Sequence, residues 1–391
     1  MAEPARRTAA PKPSRGARPP LGLQVFYPAA TAYGALVLPA SVLSMTGVSS
    51  LPGLGTPAAH AHEMLYGFAL AVVAGNQLGP TPWSRLAPLL ALWGLGRIAF
   101  LVAPFGLVAA LADVLFAAGL VWRIVPRLYR AVKKVRNYAL PVVLTAIGAS
   151  AIAVYPAQRL GGAAATHMVL VTAVLLFALL LLFMGGRLIA PAVAGQYYRQ
   201  GEELETRVQP GIEAVLIVAM LAAIVISPFA ALPWAAAVAG CACIVAGVLA
   251  AARLVRWRLW GVRGRPDLFC LGAGYAWLAL GLVTIGFALL ANARLTAALH
   301  LVTIGSLGSL TLNVMALTWA ARAQRNIADE RLPVWGTFLV AAATVARVAA
   351  DFAGDPRPYW WLAGACWSGA FVLLLITMAK LRRPAARKTA G

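Results

Sequence analysis

Ala163-Ala-Ala-Thr-His-Met-Val-Leu-Val-Thr-Ala-Val-Leu-Leu-Phe-Ala-Leu-Leu-Leu-Leu-Phe-Met-Gly-Gly186 carries no Asp, Glu, Lys or Arg along its 24 residues. A bilayer core about 30 Å thick is crossed by a helix of about 20 apolar residues, so this stretch reads as a membrane span. It is one of many. Hydrophobic residues make up 61% of the 391 and charged residues 12%, too little polar surface for a water-soluble chain of this size. Alternating ten-residue strands are absent, which argues against an outer-membrane barrel.

The sequence predicts an all-α, polytopic bundle of about twelve transmembrane helices. They are expected at 22–47, 58–79, 84–103, 105–126, 137–157, 163–190, 211–231, 233–256, 268–292, 294–321, 333–353 and 358–380. Breaks fall where Pro, Gly and charge gather, as at Pro52-Gly53, Pro80-Thr81-Pro82, Gly161-Gly162, Gly264-Arg265-Pro266 and Pro356-Arg357-Pro358. Residues 1–20 read as a disordered basic tail, 21–381 as the helical domain and 382–391 as a second tail.

Charge tests the layout independently. The net charge is +21. With a cytoplasmic N-terminus, only Arg159, Arg294 and Arg357 fall in outside loops, and Arg97 and Arg347 lie within helices. Every other Lys and Arg falls inside, as the positive-inside rule requires. Both termini are therefore expected in the cytoplasm and the chain in the inner (cytoplasmic) membrane, with lipid as its partner. No groove-reading motif accompanies the charge, so nucleic acid is not expected. The four cysteines, Cys241, Cys243, Cys270 and Cys366, lie in apolar segments without metal-finger spacing and read as small packing residues.

Ionisable groups within the apolar segments are the candidate functional residues, because each costs several kcal/mol in lipid (roughly 3 on insertion scales). They are His60, His62, Glu63, Arg97, Asp113, His167, Glu213, His300, Arg347 and Asp351. On the expected topology all four histidines occupy the outer half of the membrane. Neutral imidazole is a common ligand of haem iron and of copper, although interfacial histidines also bond to backbone or water. His60 and His62 stand about 200° apart on an ideal helix, so at most one faces a given point. His300, Thr303, Leu307 and Thr311 share a face, and Gly305 and Gly308 admit a close neighbour. Arg347 and Asp351, four residues apart, form either a helix-pinning ion pair or an arginine for haem propionates with its orienting carboxylate. Arg97 and Asp113, on consecutive helices, pair likewise.

The segment from His60-Ala-His62-Glu63 through Gly67-Phe68, Ala71 and Gly75 resembles the H-A-H-E-x-x-x-G-F-x-x-A-x-x-x-G signature of the NnrS family. Gly185-Gly186-Arg187 followed by Pro191, Gly274-Tyr275-Ala-Trp277-Leu-Ala-Leu-Gly281-Leu, and Ala298-Leu-His300 with Gly305 and Val314-Met315 resemble its later motifs in order. The resemblance implies a twelve-helix membrane protein containing haem and copper, linked to denitrification and nitric oxide tolerance. It makes His60, His62 and His300 metal or haem ligands. Arg347 joins them as a cofactor-binding residue, and Glu63, His167, Arg97, Asp113 and Asp351 are further candidates. Two family histidines are absent: Gly272 stands at one position, and Ala321-Arg-Ala-Gln-Arg325 replaces a G-H-T-G-R stretch.

Three functions are open at this stage. The first is a haem and copper protein that handles nitric oxide or another small gas. The second is a transporter without metal, to which the absence of paired broken segments is unfavourable. The third is a haem-copper reductase, which needs a second metal held usually by three histidines. No catalytic activity is assigned by the sequence.

Overall fold

A computed structural model describes residues 20–132, 135–205 and 209–382. The two expected tails lie outside the described residues, apart from Pro20 and Arg382. The described chain is helical, and its single β-bridge joins Leu21 to Pro80. In order the helices are α1 (Gly22–Met45), α2 (Pro57–His62), α3 (Leu70–Gln77), α4 (Trp83–Val102), α5 (Leu107–Ala131), α6 (Ala139–Arg199), α7 (Pro210–Ile226), α8 (Pro233–Arg256), α9 (Pro266–Leu290), α10 (Thr296–His300), α11 (Ser309–Arg322), α12 (Leu332–Ala349) and α13 (Arg357–Arg382). Ten helices among the described residues are long and apolar enough to cross a membrane. Large apolar side chains point outward, Ile98, Trp122, Val218 and Phe338 among them. This is the arrangement expected where the surrounding solvent is lipid.

The helices expected at 137–157 and 163–190 are the two arms of α6, which turns where Gly162 takes φ 63° and ψ −151°, and the second arm runs on to Arg199. Arg187 donates to Asn137 Oδ1 at 2.6 Å. A straight helix would hold residues 50 apart at about 75 Å, so α6 is a hairpin folded at Gly162. Its second arm also passes Gly185, Gly186 and Pro191 without ending. A side chain at Gly185 would strike the Tyr275 ring and one at Gly186 the Arg253 guanidinium. Packing from neighbours thus holds the backbone that local propensity would break. Between α2 and α3 lies a π-helical segment, Glu63–Ala69, and between α10 and α11 another, Leu301–Gly308. Each makes one continuous helical rod with its flanks.

Small residues set the closest approaches. A Cβ on Gly240 would lie 2.9 Å from Gly286 O, where α8 and α9 cross. Trp367 Nε1 donates to Gly34 O at 2.9 Å and Ser368 Oγ to Ala35 O at 2.8 Å, tying α13 to α1.

Contacts between turns sort the loops by end. Thr81 N donates to Pro20 O at 2.9 Å, and Arg127 Nη2 to Gln77 O at 3.5 Å. Tyr197 donates to Arg258 O at 2.6 Å, and Lys380 pairs with Glu330 at 2.7 Å. Arg382 donates to Gln24 O at 3.4 Å, so the first helix starts where the last one ends.

Candidate functional site

The rod formed by α2, its π segment and α3 presents two histidines to opposite sides, as the 200° expectation requires. His62 faces a cluster of charges. His62 and Glu63 are fully buried, Arg97 on α4 is 3% exposed and Asp113 on α5 is 4% exposed. Arg97 Nη1 pairs with Glu63 Oε1 and Nη2 with Asp113 Oδ1. His62 Nδ1 lies 2.9 Å from Glu63 Oε1, and Nε2 lies 3.6 Å from Asp113 Oδ2. Tyr33 donates to Glu63 Oε2, and Tyr155 donates to Asp113 Oδ2 at 2.6 Å. The His62 ring stacks on Phe100 with centroids 4.0 Å apart. Gly67 and Gly96 make the room, since a Cβ on either would run into Arg97 or Asp113 respectively. Two carboxylates and one guanidinium leave one negative charge.

His60 and His300 form the second group. Both are half-buried. His300 Nδ1 lies 2.7 Å from Thr296 O, a carbonyl that can only accept, so Nδ1 carries the proton. His60 Nδ1 lies 3.0 Å from Ser41 Oγ, whose own proton goes to Leu54 O at 3.2 Å. Nδ1 is the donor here as well. Both neutral rings therefore keep the Nε2 lone pair free, the tautomer selected in metal-bound histidines by a bond at the other nitrogen. The charge of Arg347 on α12 acts on both imidazoles, and His60 acts on His300. Arg347 Nη1 donates to Asp351 Oδ1 at 2.6 Å.

A model of the family described as NnrS protein matches residues 20–384. The chain belongs to the NnrS family. No curated protein matches it.

The matched span takes in every one of the candidate residues in this NnrS-family chain, and the structure separates them into groups. His60, His300 and Arg347 lie within electrostatic range of one another, and Arg347 bonds Asp351. His62, Glu63, Arg97 and Asp113 come together elsewhere. His167 is exposed and has no hydrogen-bond or ion-pair partner among the described residues. Asp351 is also more open than expected, with its side chain 25% exposed, because α12 ends at Ala349 and leaves it in the following turn.

The two groups differ as cofactor sites. The Nε2 atoms of His60 and His300 have no partner among the described residues, which leaves both available as ligands. Copper is different. Among the described residues, no group of three or more His, Cys, Asp or Glu is arranged to hold a metal ion. His62, the remaining candidate, is enclosed by carboxylates and Phe100, and does not supply a copper site. The NnrS motif glycines mostly serve packing: Gly75 receives Tyr27, Gly185 receives Tyr275 and Gly305 receives Trp277. At Gly272, where the family carries histidine, a Cβ would strike Leu259, so that position is filled by packing.

Sequence reasoning missed Tyr33, Ser41, Thr296 and Tyr155. Their partners lie in distant segments or on backbone atoms, and no spacing signal marks them. It also missed both π segments, each of which begins at the residue after a candidate histidine. Such segments recur at functional sites.

Proposed function

We propose that this chain is a haem protein of the inner (cytoplasmic) membrane that takes part in the response to nitric oxide during denitrification. The observation that carries the proposal is the convergence of His60 and His300 from separate rods, each anchored through Nδ1 with Nε2 free. In the proposal these two Nε2 atoms hold the iron. Arg347 meets a propionate, and Asp351 orients the guanidinium. Bound haem would supply a redox-active iron, which a diatomic gas would reach by replacing one of the two imidazoles. The π segment that starts at Leu301 aims the His300 ring, and the Ser41–Leu54 chain fixes that of His60. The nitric oxide role rests on the family resemblance.

The chain crosses the membrane twelve times in this proposal, with both termini cytoplasmic. Two observations support a count above the ten long apolar helices. The hairpin in α6 provides two crossings, and the rod from Pro57 to Gln77 returns the chain from the end of α1 to its start.

The test is an optical spectrum of purified protein, oxidised and reduced, after expression with ample haem. Wild type should show a haem absorbance, and His60→Ala and His300→Ala should each lose it while eluting from a sizing column unchanged. Wild-type protein that stays colourless would refute the proposal. A transporter would then lead, supported by the buried cluster around Arg97.

A further inference from the structure

A cavity of about 250 Å³ opens between α6, α7 and α8, lined by Asn137, Phe183, Arg187, Glu213, Ile217 and Arg253 among others. Its lining does not include His60 or His300. Arg253 is 4% exposed and is held on three acceptors. Its Nη1 donates to Leu182 O and to the Tyr275 hydroxyl, each at 3.2 Å, and Nη2 donates to Glu213 Oε1 at 3.2 Å. The third kind of donor, Nε–H, has no acceptor among the described residues. A buried charged donor without an acceptor is costly and marks a place for a ligand or ion. Arg187 adds a second guanidinium, steadied by Asn137 at 2.6 Å and lying over the Phe183 ring at 4.4 Å.

We propose that this cavity binds the phosphodiester of an anionic glycerophospholipid. The Arg253 Nε–H, buried and without an acceptor among the described residues, is the donor that a phosphodiester oxygen would satisfy. Guanidinium forks match phosphate oxygens, and basic pockets between membrane helices take anionic headgroups. The rest of the lining is apolar: Leu179, Leu182, Phe183, Leu216 and Ile217. Next to it on α7, Val215 and Val218 face outward at 52% and 66% exposure. A ligand seated here thus has its charge on the arginines and its hydrocarbon against the lipid-facing surface. Gly186 is part of the design, because any side chain there would displace the Arg253 guanidinium.

The experiment is native mass spectrometry of the full chain in detergent, titrated separately with phosphatidylglycerol, phosphatidylcholine and inorganic phosphate. Wild type should retain phosphatidylglycerol adducts through activation and favour them over phosphatidylcholine. Arg187→Ala, at an exposed position that leaves the buried Arg253 in place, should weaken phosphatidylglycerol binding by about tenfold, the loss expected for one charge-assisted hydrogen bond. Arg187→Lys should recover part of it, and sizing-column elution should be unchanged in both variants. Equal retention by wild type and Arg187→Ala would overturn the proposal, as would equal retention of the two lipids. Inorganic phosphate that displaces phosphatidylglycerol from wild type would overturn the lipid assignment in favour of free phosphate.

Discussion

Arg97 and Arg347 are both arginines within helices that pair with an aspartate, yet their surroundings assign them opposite roles. Arg97 holds Glu63 and Asp113 at once, and all three are nearly inaccessible. Arg97→Ala would strand two carboxylates in a low-dielectric interior, at a cost of about 3–5 kcal/mol. Detergent melts and folded yield should both fall. The combined change Glu63→Gln, Arg97→Met, Asp113→Asn should recover most of the loss, because it leaves no charge unpaired; a triple variant as unstable as Arg97→Ala would contradict the pairing. Arg347 has one carboxylate partner, and its side chain is 15% exposed against 25% for Asp351. Its removal should cost about 0–1 kcal/mol, the value of an open ion pair. Arg347→Ala should therefore fold like wild type and lose haem on dilution, and a melt that drops as far as that of Arg97→Ala would reject this division. The sequence makes both pairings legible, one by four-residue spacing and one by adjacency of helices. What it conceals is burial. The partners that enclose Arg97 come from α1, the Glu63 π segment and α6, and only tertiary packing brings Tyr33, Glu63 and Tyr155 to one place.

At the scale of elements, two helices owe their form to a few residues. Gly162 takes φ 63°, a backbone region open to glycine and costly by about 1–3 kcal/mol for a residue with a side chain. Gly162→Ala should lower the melting temperature in detergent, whereas Gly195→Ala, further along α6 where an added Cβ meets nothing within 4 Å, keeps ordinary helical φ; equal melts for the two would refute the role of the bend. The Gly161-Gly162 pair is legible in the sequence as a break, but a break alone does not say that the chain folds back. The π segments leave still less trace, since neither residue type nor hydropathy changes across Leu301–Gly308. Their effect is geometric. One extra residue in a turn rotates everything beyond it by about 100° relative to a regular α-helix. Deleting Ser306, a buried residue whose hydroxyl has no partner, should restore α-helical register and turn His300 away from Arg347. The expected result is a folded protein without haem absorbance. Retained absorbance would mean that the π segment does not aim the ring.

For the whole molecule the decisive quantity is the number of crossings, because it fixes which loops share a compartment. Ten and twelve crossings agree about both termini, so fusions at the C-terminus cannot separate them. They disagree about the stretch from Gly79 to Val132. If the rod from Pro57 to Gln77 did not cross, and α6 crossed once, Pro80 and the region of Arg127 and Arg130 would lie outside. Under twelve crossings both lie inside. Two physical arguments favour the second arrangement. Arg123, Arg127, Arg130, Lys133, Lys134 and Arg136 put six basic residues between two apolar segments, and exporting them would oppose the positive-inside rule. The backbone bond from Thr81 to Pro20 and the contact from Arg127 to Gln77 put these loops beside the start of α1. The full-length protein, carrying a short protease-cleavable tag after Gly79, after Val132 or after Gly354, should then be cut from the outside only at Gly354. Cleavage from outside at Gly79 and Val132 would establish ten crossings and remove the hairpin reading of α6. Cleavage at one of the two alone would put Gly79 and Val132 on opposite sides, which requires that α4 or α5 does not cross and overturns both counts, since each is long and apolar enough to span.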